Sequence, residues 1–362
     1  MLHFNNAGAA LPADCVLDTV LNHLRLEASI GGYEAAARAA LAIERTYTAV
    51  ARLLNAQPDE IALVESATRA WDMAFYAIPF ARGDRILTAR AEYASNVIAL
   101  LQVAARTGAE VEVIPDDESG QLSVEALREA IDDRVKLIAM THVPMHDGLI
   151  YPVASIGRVA REFEIPYLVD ASQSVGQLPV DVREIGCDML SATGRKFLRG
   201  PRGSGFLYIR RSLVEQLEPP LLDLHAATLT GPDTYVVRPD ARRFEAWENN
   251  FAGQIGLGVA VDYALDWGLE AIRQRVFGLA AQLRGGLAGL AGVTVHDRGR
   301  EQCGIVTFSV EGRSAEDITA ALAAQGMNVW VVSRLVRASV HYYNTHAEVE
   351  RFCEQVWRLS AR

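Results

Sequence analysis

Between residues 61 and 209 the chain alternates short apolar runs with longer amphipathic stretches. The runs are 61–64, 86–88, 111–114, 137–143, 167–169, 189–190 and 206–209. Helical spacing recurs between them, near 67–76, 95–106, 124–131 and 154–163. Unbroken apolar strands separated by helices predict an α/β fold. Its mainly parallel, seven-stranded sheet is flanked by helices on both faces. Ahead of it, apolar spacing predicts helices over 14–29 and 33–55. They are separated at Gly31-Gly32, where a continuous helix would lose about 1 kcal/mol per glycine. The regularity stops at about Pro219, and 220–250 reads as loop. Helices over 253–267 and 269–290 follow. Next come strands at 293–295, 305–310, 329–332 and 337–340, with helices at 315–325 and 347–359. We therefore expect a large domain over 15–245. A smaller α+β domain is expected from 1–14 and 246–362.

Composition narrows the function classes. The chain has 362 residues, half of them hydrophobic, and a formal net charge of −10 with charges scattered along it. A nucleic-acid partner would want a basic stripe, which is missing. No apolar run reaches membrane-spanning length. The first residues lack the basic start and apolar core of a secretory leader. The four cysteines, Cys15, Cys187, Cys303 and Cys353, show no CxxC spacing and read as reduced, buried thiols. The expectation is a cytoplasmic protein acting on a small molecule.

The chemistry concentrates in one loop. Of 35 Lys plus Arg residues only two are lysines, Lys136 and Lys196. Arginine stays protonated and forms no imine with an aldehyde, so any imine chemistry has two possible carriers. Lys136 opens an apolar run, as a lysine at a strand edge does. Lys196 lies in Thr193-Gly194-Arg195-Lys196-Phe197-Leu198-Arg199-Gly200-Pro201-Arg202-Gly203, where glycines let backbone approach a ligand closely. Asp170 ends the run Tyr167-Leu168-Val169. A carboxylate there needs a cation or donor, such as a protonated pyridine nitrogen, or else it is a helix cap. Ser66-Ala67-Thr68-Arg69 follows strand 61–64 and opens a helix, which suits either a phosphate or an ordinary cap.

An aspartate at one strand end, followed some 26 positions later by an S/T-G-x-K loop, resembles the class V aminotransferases of pyridoxal 5′-phosphate (PLP) fold type I. That group holds cysteine desulfurases, isopenicillin N epimerase-like proteins and hercynylcysteine sulfoxide C–S lyases. The likeness runs from Asn5-Asn6-Ala7-Gly8 to Tyr343-Asn344-Thr345. The resemblance implies that PLP is the cofactor. Lys196 would hold it as an imine and move the Cα proton, and Asp170 would pair with the ring nitrogen. Gln173 would bond the phenolic oxygen, and Tyr93 would stack on the ring. Ala67, Thr68, Thr193 and Arg195 would bind the phosphate, Arg195 standing where many relatives carry histidine. Asn249 or Asn250 would reach a partner subunit's phosphate in a homodimer. Arg337 would grip the substrate carboxylate. His146 stands where relatives place a small polar residue, and it is either a substrate-binding group or a solvent-facing loop histidine.

The sequence departs from desulfurases in one place. Their nucleophilic cysteine lies on a loop just before the carboxylate-binding arginine. Here that segment is Val329-Trp330-Val331-Val332-Ser333-Arg334-Leu335-Val336-Arg337, short and without cysteine. Persulfide chemistry needs a thiolate in reach. The expectation is therefore β-elimination from an S-substituted cysteine, a C–S lyase in a thiol or natural-product pathway, with desulfurase disfavoured. Gly31-Gly32-Tyr33-Glu34-Ala35 also looks like that of the C–S lyase relatives. Epimerisation, transamination and decarboxylating oxidative deamination are the alternatives, as is a PLP-binding protein without turnover.

Overall fold

The computed structural model describes residues 1–360. Seven strands build the large sheet: β1 (Ile61–Val64), β2 (Arg85–Thr88), β3 (Glu110–Val113), β4 (Val135–Thr141), β5 (Tyr167–Asp170), β6 (Met189–Thr193) and β7 (Gly205–Ile209). Their order across the sheet is β1-β7-β6-β5-β4-β2-β3, with β7 antiparallel to both neighbours and the other pairs parallel. The side-chain period of two explains why the central runs are apolar nearly throughout. Ile61, Leu63, Ile138, Met140, Tyr167, Val169, Leu190, Phe206 and Tyr208 enter one core. Ala62, Val64, Leu137, Ala139, Leu168, Met189, Leu207 and Ile209 enter the other, on the opposite face. The first core is covered by Ile156 and Val159 of the helix Val153–Glu162. The second is covered by Trp71 and Phe75 of Ala67–Phe75 and by Leu100 and Val103 of Ala94–Thr107.

A four-stranded antiparallel sheet follows in the order Val293–Val295, Ile305–Val310, Leu335–Ser339, Trp330–Val332. The chain's start is sewn to this region: Leu2–His3 pairs in parallel with Met327–Asn328. The Asn6 amide also donates to the Ser339 carbonyl at 2.7 Å. The segment 1–10 thus runs from this sheet toward the Lys196 loop, where the Ala10 N–H donates to the Arg195 carbonyl at 2.9 Å.

Three local expectations change. The helix read over 33–55 breaks at Ala39 into Gly32–Arg38 and Ala40–Leu54, with no glycine or proline at the break. Packing of Ala40–Leu54 along Phe251–Trp267 overrides propensity there. The stretch 220–250 contains a hairpin, Ala227–Leu229 with Tyr235–Val237, its turn made by Gly231, Pro232 and Asp233 between β-branched runs. Cys15 is exposed rather than buried, and Cys353 is half-buried. Among the described residues no helix is long and apolar enough to cross a membrane.

Candidate active site

The loop from β6 to β7 is pinned at both ends, which places Lys196 reproducibly. The Gly194 N–H donates to the Ser204 carbonyl at 2.9 Å, and the Gly200 N–H to the Gly194 carbonyl at 2.7 Å. Phe197 and Leu198 are buried beside the lysine. The Phe197 carbonyl meets Nε2 of the buried His341 at 3.1 Å. Gly176, at φ +87°, packs beneath: a Cβ there would stand 2.4 Å from the Phe197 carbonyl, so only glycine fits. Lys196 as a whole residue is half-buried, but its ammonium is shielded from water. Desolvation therefore lowers its pKa to about 7; Asp170 opposes the shift, while Arg195 and Arg337 add to it.

A cavity at the carboxyl ends of the strands gathers most of the sequence-expected residues. Lys196, Tyr93, Asp170, Gln173, Ala67, Thr68, Thr193 and Arg195 all line it. Asp170 is 5% exposed, and its Oδ1 accepts from the Ser172 N–H at 2.8 Å. Lys196 Nζ stands 6.0 Å from the Tyr93 ring centroid. Ser66 caps the helix Ala67–Phe75, its hydroxyl accepting from the Arg69 N–H at 3.1 Å. The first N–H groups of that helix have no intrahelical acceptor and suit an anion. Gly205 lets β7 pass close beneath, since a Cβ there would lie 2.9 Å from the Ser66 carbonyl carbon. Arg195 turns toward the N-terminal segment, where Nη1 donates to the Gly8 carbonyl.

Arg337 and His146 stand beside this cavity rather than in its lining. Arg337, on Leu335–Ser339, is 3% exposed. It donates to the Met145 carbonyl and to Asn5 Oδ1, both at 3.3 Å, and its Nε has no partner. These partners are neutral oxygens, so the buried guanidinium has a strong call for an anion. Desolvation, then Arg195, lowers its pKa to about 10. Met145, whose carbonyl it holds, does line the cavity. His146 Nδ1 lies 3.3 Å from the Ser333 hydroxyl, and burial lowers its pKa while Asp147 opposes. Ser333 and Arg334, both at positive φ, form a two-residue turn between the Trp330–Val332 and Leu335–Ser339 strands.

Asn249 and Asn250 do not join the Lys196 cavity within this chain. They line a second one with Tyr33, His225 and Trp247. Asn250 caps the helix Phe251–Trp267 by accepting from the Gly253 N–H at 2.8 Å. The Asn249 amide donates to the Ala246 carbonyl at 2.6 Å.

Sequence reading passed over a buried polar group under the cavity. Glu92, Asn96 and Thr141 line it too, together with Ser172 and Arg202. Glu92 accepts from the Thr141 N–H at 2.8 Å and from Asn96 Nδ2 at 2.9 Å. The signal available was a polar pair at a helix start, Glu92 just before the N-cap Tyr93 and Asn96 in the first turn of Ala94–Thr107.

The residues fit PLP. Two polar atoms next to the cavity, Gln173 Oε1 and Ser172 Oγ, are buried without a partner, as is Arg337 Nε. Native interiors rarely leave such groups unpaired, so a polar ligand in the cavity completes them. A lysine with its proton weakened, a carboxylate facing it and a free helix start supply the three contacts the cofactor needs.

Comparison with known proteins agrees. The family model described as aminotransferase class-V matches residues 2–352. A probable cysteine desulfurase from Xylella fastidiosa (strain 9a5c) is 33% identical, over 97% of this chain and 89% of its own. Another probable cysteine desulfurase, from Methanothermobacter thermautotrophicus, is 30% identical over 91% of this chain and 86% of its own. The solved apo structure of cysteine desulfurase from Thermococcus onnurineus NA1 superposes with a TM-score of 0.91 at 27% identity, covering 99% of this chain and 94% of that one. A cystine C–S lyase solved with cysteine persulfide has a TM-score of 0.92 at 22% identity, covering 98% and 97%, and bears on the fold alone. The expectation of a C–S lyase for S-substituted cysteines, with desulfurase disfavoured, is overturned by these relatives. A loop without cysteine tells where the sulfur acceptor is not; it does not tell what happens at the substrate.

Proposed function

The chain belongs to the class-V aminotransferase family, a PLP-dependent enzyme family, and on that premise we propose that it is a desulfurase-type enzyme that passes the sulfur of cysteine to a thiol supplied from outside. The observation that carries the reading is the pairing of a lysine held near neutrality with a buried arginine lacking a counter-charge. It stands on a chain whose relatives are named cysteine desulfurases.

Held at Lys196, PLP would supply an electron sink that weakens the bonds at the substrate Cα. Lys196, about half neutral near pH 7, would need no separate base to act as a nucleophile, and its amine could take and return the proton at the substrate Cα. Asp170 would meet the ring nitrogen and keep that end of the cavity negative, and Tyr93 would offer its face to the ring. Ala67 and Thr68 offer helix-start N–H groups to the phosphate, and Thr193 and Gln173 add polar contacts. Arg337 binds the α-carboxylate with a planar fork, which its burial strengthens.

The acceptor is the part in which this chain differs. Cys187 and Cys303 are buried, and their thiols are pushed up, that of Cys303 to about 12. None of the four cysteines lines the Lys196 cavity. In the reaction the Cβ–S bond breaks and an S–S bond forms with the external thiolate. The carbon keeps the electron pair and is protonated, so cysteine plus RSH gives alanine plus RSSH. The test is incubation with L-cysteine and dithiothreitol, with alanine, pyruvate and sulfide quantified. Alanine matching sulfide, at a rate within about twofold of wild type when all four cysteines become serine, is expected. Pyruvate in place of alanine, or loss of activity in the cysteine-free variant with its PLP absorbance intact, overturns the reading.

A further inference from the structure

Glu92 has no part in that scheme, yet it is the most tightly held carboxyl group near the cofactor site. It is 6% exposed. Oε2 accepts from the Thr141 N–H at 2.8 Å; Oε1 accepts from the Tyr93 N–H at 2.8 Å and from Asn96 Nδ2 at 2.9 Å, and pairs with the Thr141 hydroxyl. All these donors are neutral. Asn96 is itself buried, and the same Nδ2 donates to Asp170 Oδ2 at 3.2 Å. One amide nitrogen, with its two hydrogens, therefore spans two buried carboxyl groups. The sheet fixes the arrangement from below, since Thr141 and Asp170 are register partners at the ends of β4 and β5.

If the task were only to tie a helix start to a strand end, a neutral group would do it at smaller desolvation loss. Placing a second acid beside Asp170 is unfavourable for both. Burial, more than any other cause, raises the Glu92 pKa to about 7; the Thr141 and Asn96 hydrogen bonds oppose, and Asp170 adds to it. The titratable groups that act on it are Asp170 and Tyr167, both from β5; Tyr93 touches it only through its backbone N–H, and Lys196 reaches it through Asp170.

We propose that Glu92 is a positioning residue: through Asn96 it holds the Asp170 carboxylate in place and, in its ionised form, adds negative charge at the end of the cavity where Asp170 meets the ring nitrogen, so that the nitrogen keeps its proton. This rests on the assignment of Asp170 to the ring nitrogen. The experiment is a pH titration of the holoenzyme's long-wavelength absorbance, with PLP affinity measured by dialysis. Glu92→Gln keeps the size and removes the charge; the spectroscopic pKa falls by about half a unit to one unit, and Glu92→Asp restores most of it. Asn96→Ala removes the bridge and weakens PLP binding about tenfold, a charge-assisted hydrogen bond's worth. The double variant Glu92→Gln/Asn96→Ala loses no more affinity than Asn96→Ala alone, because both act through one link. An unshifted spectroscopic pKa in folded Glu92→Gln overturns the proposal. So does wild-type PLP affinity in Asn96→Ala, which decides the matter if Glu92→Gln fails to fold. Asp170→Asn separates the two levels. A silent Asp170→Asn sinks the ring-nitrogen assignment, whereas an altered one beside silent Glu92 and Asn96 variants sinks this inference alone.

Discussion

Lys196, on the loop that closes the large sheet, and Arg337, on a strand of the small one, are both cations deprived of water. Desolvation is the leading cause for each: it lowers the lysine from 10.5 to about 7 and brings the arginine down from the usual guanidinium range to about 10. The consequences diverge because the starting points differ. At neutral pH the lysine is close to giving up its proton, whereas the guanidinium keeps its own. One burial mechanism thus yields a nucleophile in the cavity and an anion receptor beside it. The lysine sits on a turn braced by Phe197, Leu198 and Gly176, while the arginine is held by the Met145 carbonyl and Asn5. The Asn5 contact ties the arginine's setting to the N-terminal segment.

The contrast can be broken from its strongest side first. Lys196→Ala should abolish the long-wavelength PLP band and lower turnover about a thousandfold or more, read by absorbance and alanine release. A retained band in that variant would show that the imine forms elsewhere. Arg337→Ala should leave the band intact and reduce kcat/KM for cysteine by about 10- to 100-fold, mainly through KM. Arg337→Lys, keeping the charge without the planar fork, should fall between it and wild type. Steady-state kinetics beside the spectrum checks both, and a normal KM in Arg337→Ala would remove the arginine from carboxylate binding.

The smallest effect sharpens the pKa side. In the apoprotein Lys196 is unprotonated above about pH 7, while in the unfolded chain it holds its proton up to about 10.5. The unfolded state therefore binds more protons across that window, and stability attributable to Lys196 rises with pH through it. The difference in denaturation midpoint between wild type and Lys196→Met should change in wild type's favour from pH 7 toward pH 10. Glu92 gives the reverse slope lower down. Its folded pKa of about 7 lies above the usual 4.5, so the folded state holds more protons and its contribution falls as pH rises from 4.5 to 7. Denaturant titrations at several pH values measure both limbs. A pH-independent difference for Lys196→Met would mean that its ammonium is hydrated in the folded apoprotein.

Much of this architecture was legible along the chain because its signals are local. Each run became a strand of the large sheet; the central ones are apolar nearly throughout because both faces are covered, whereas the edge strand Glu110–Val113 alternates with glutamates and stays partly exposed. Lys196 stood out by scarcity and by its glycines, Asp170 by ending a buried strand, and Arg337 by family likeness. The hairpin at 227–237 and the break at Ala39 were missed because three-residue strands and packing-induced breaks leave little periodic trace.

By itself, then, the sequence determined the strands of the large sheet, the lysine to which a cofactor could be assigned, and the kinship, all of which rest on local spacing and residue type. Tertiary structure alone decided that Asn249 and Asn250 turn away from the Lys196 cavity of their own chain, and that Arg195 turns to Gly8. It decided as well that Glu92, Asn96 and Asp170 share one hydrogen-bonded link. Those contacts join residues far apart in the chain, and desolvation, which sets how acidic or basic each group becomes, depends on what the fold stacks around it rather than on its neighbours in sequence.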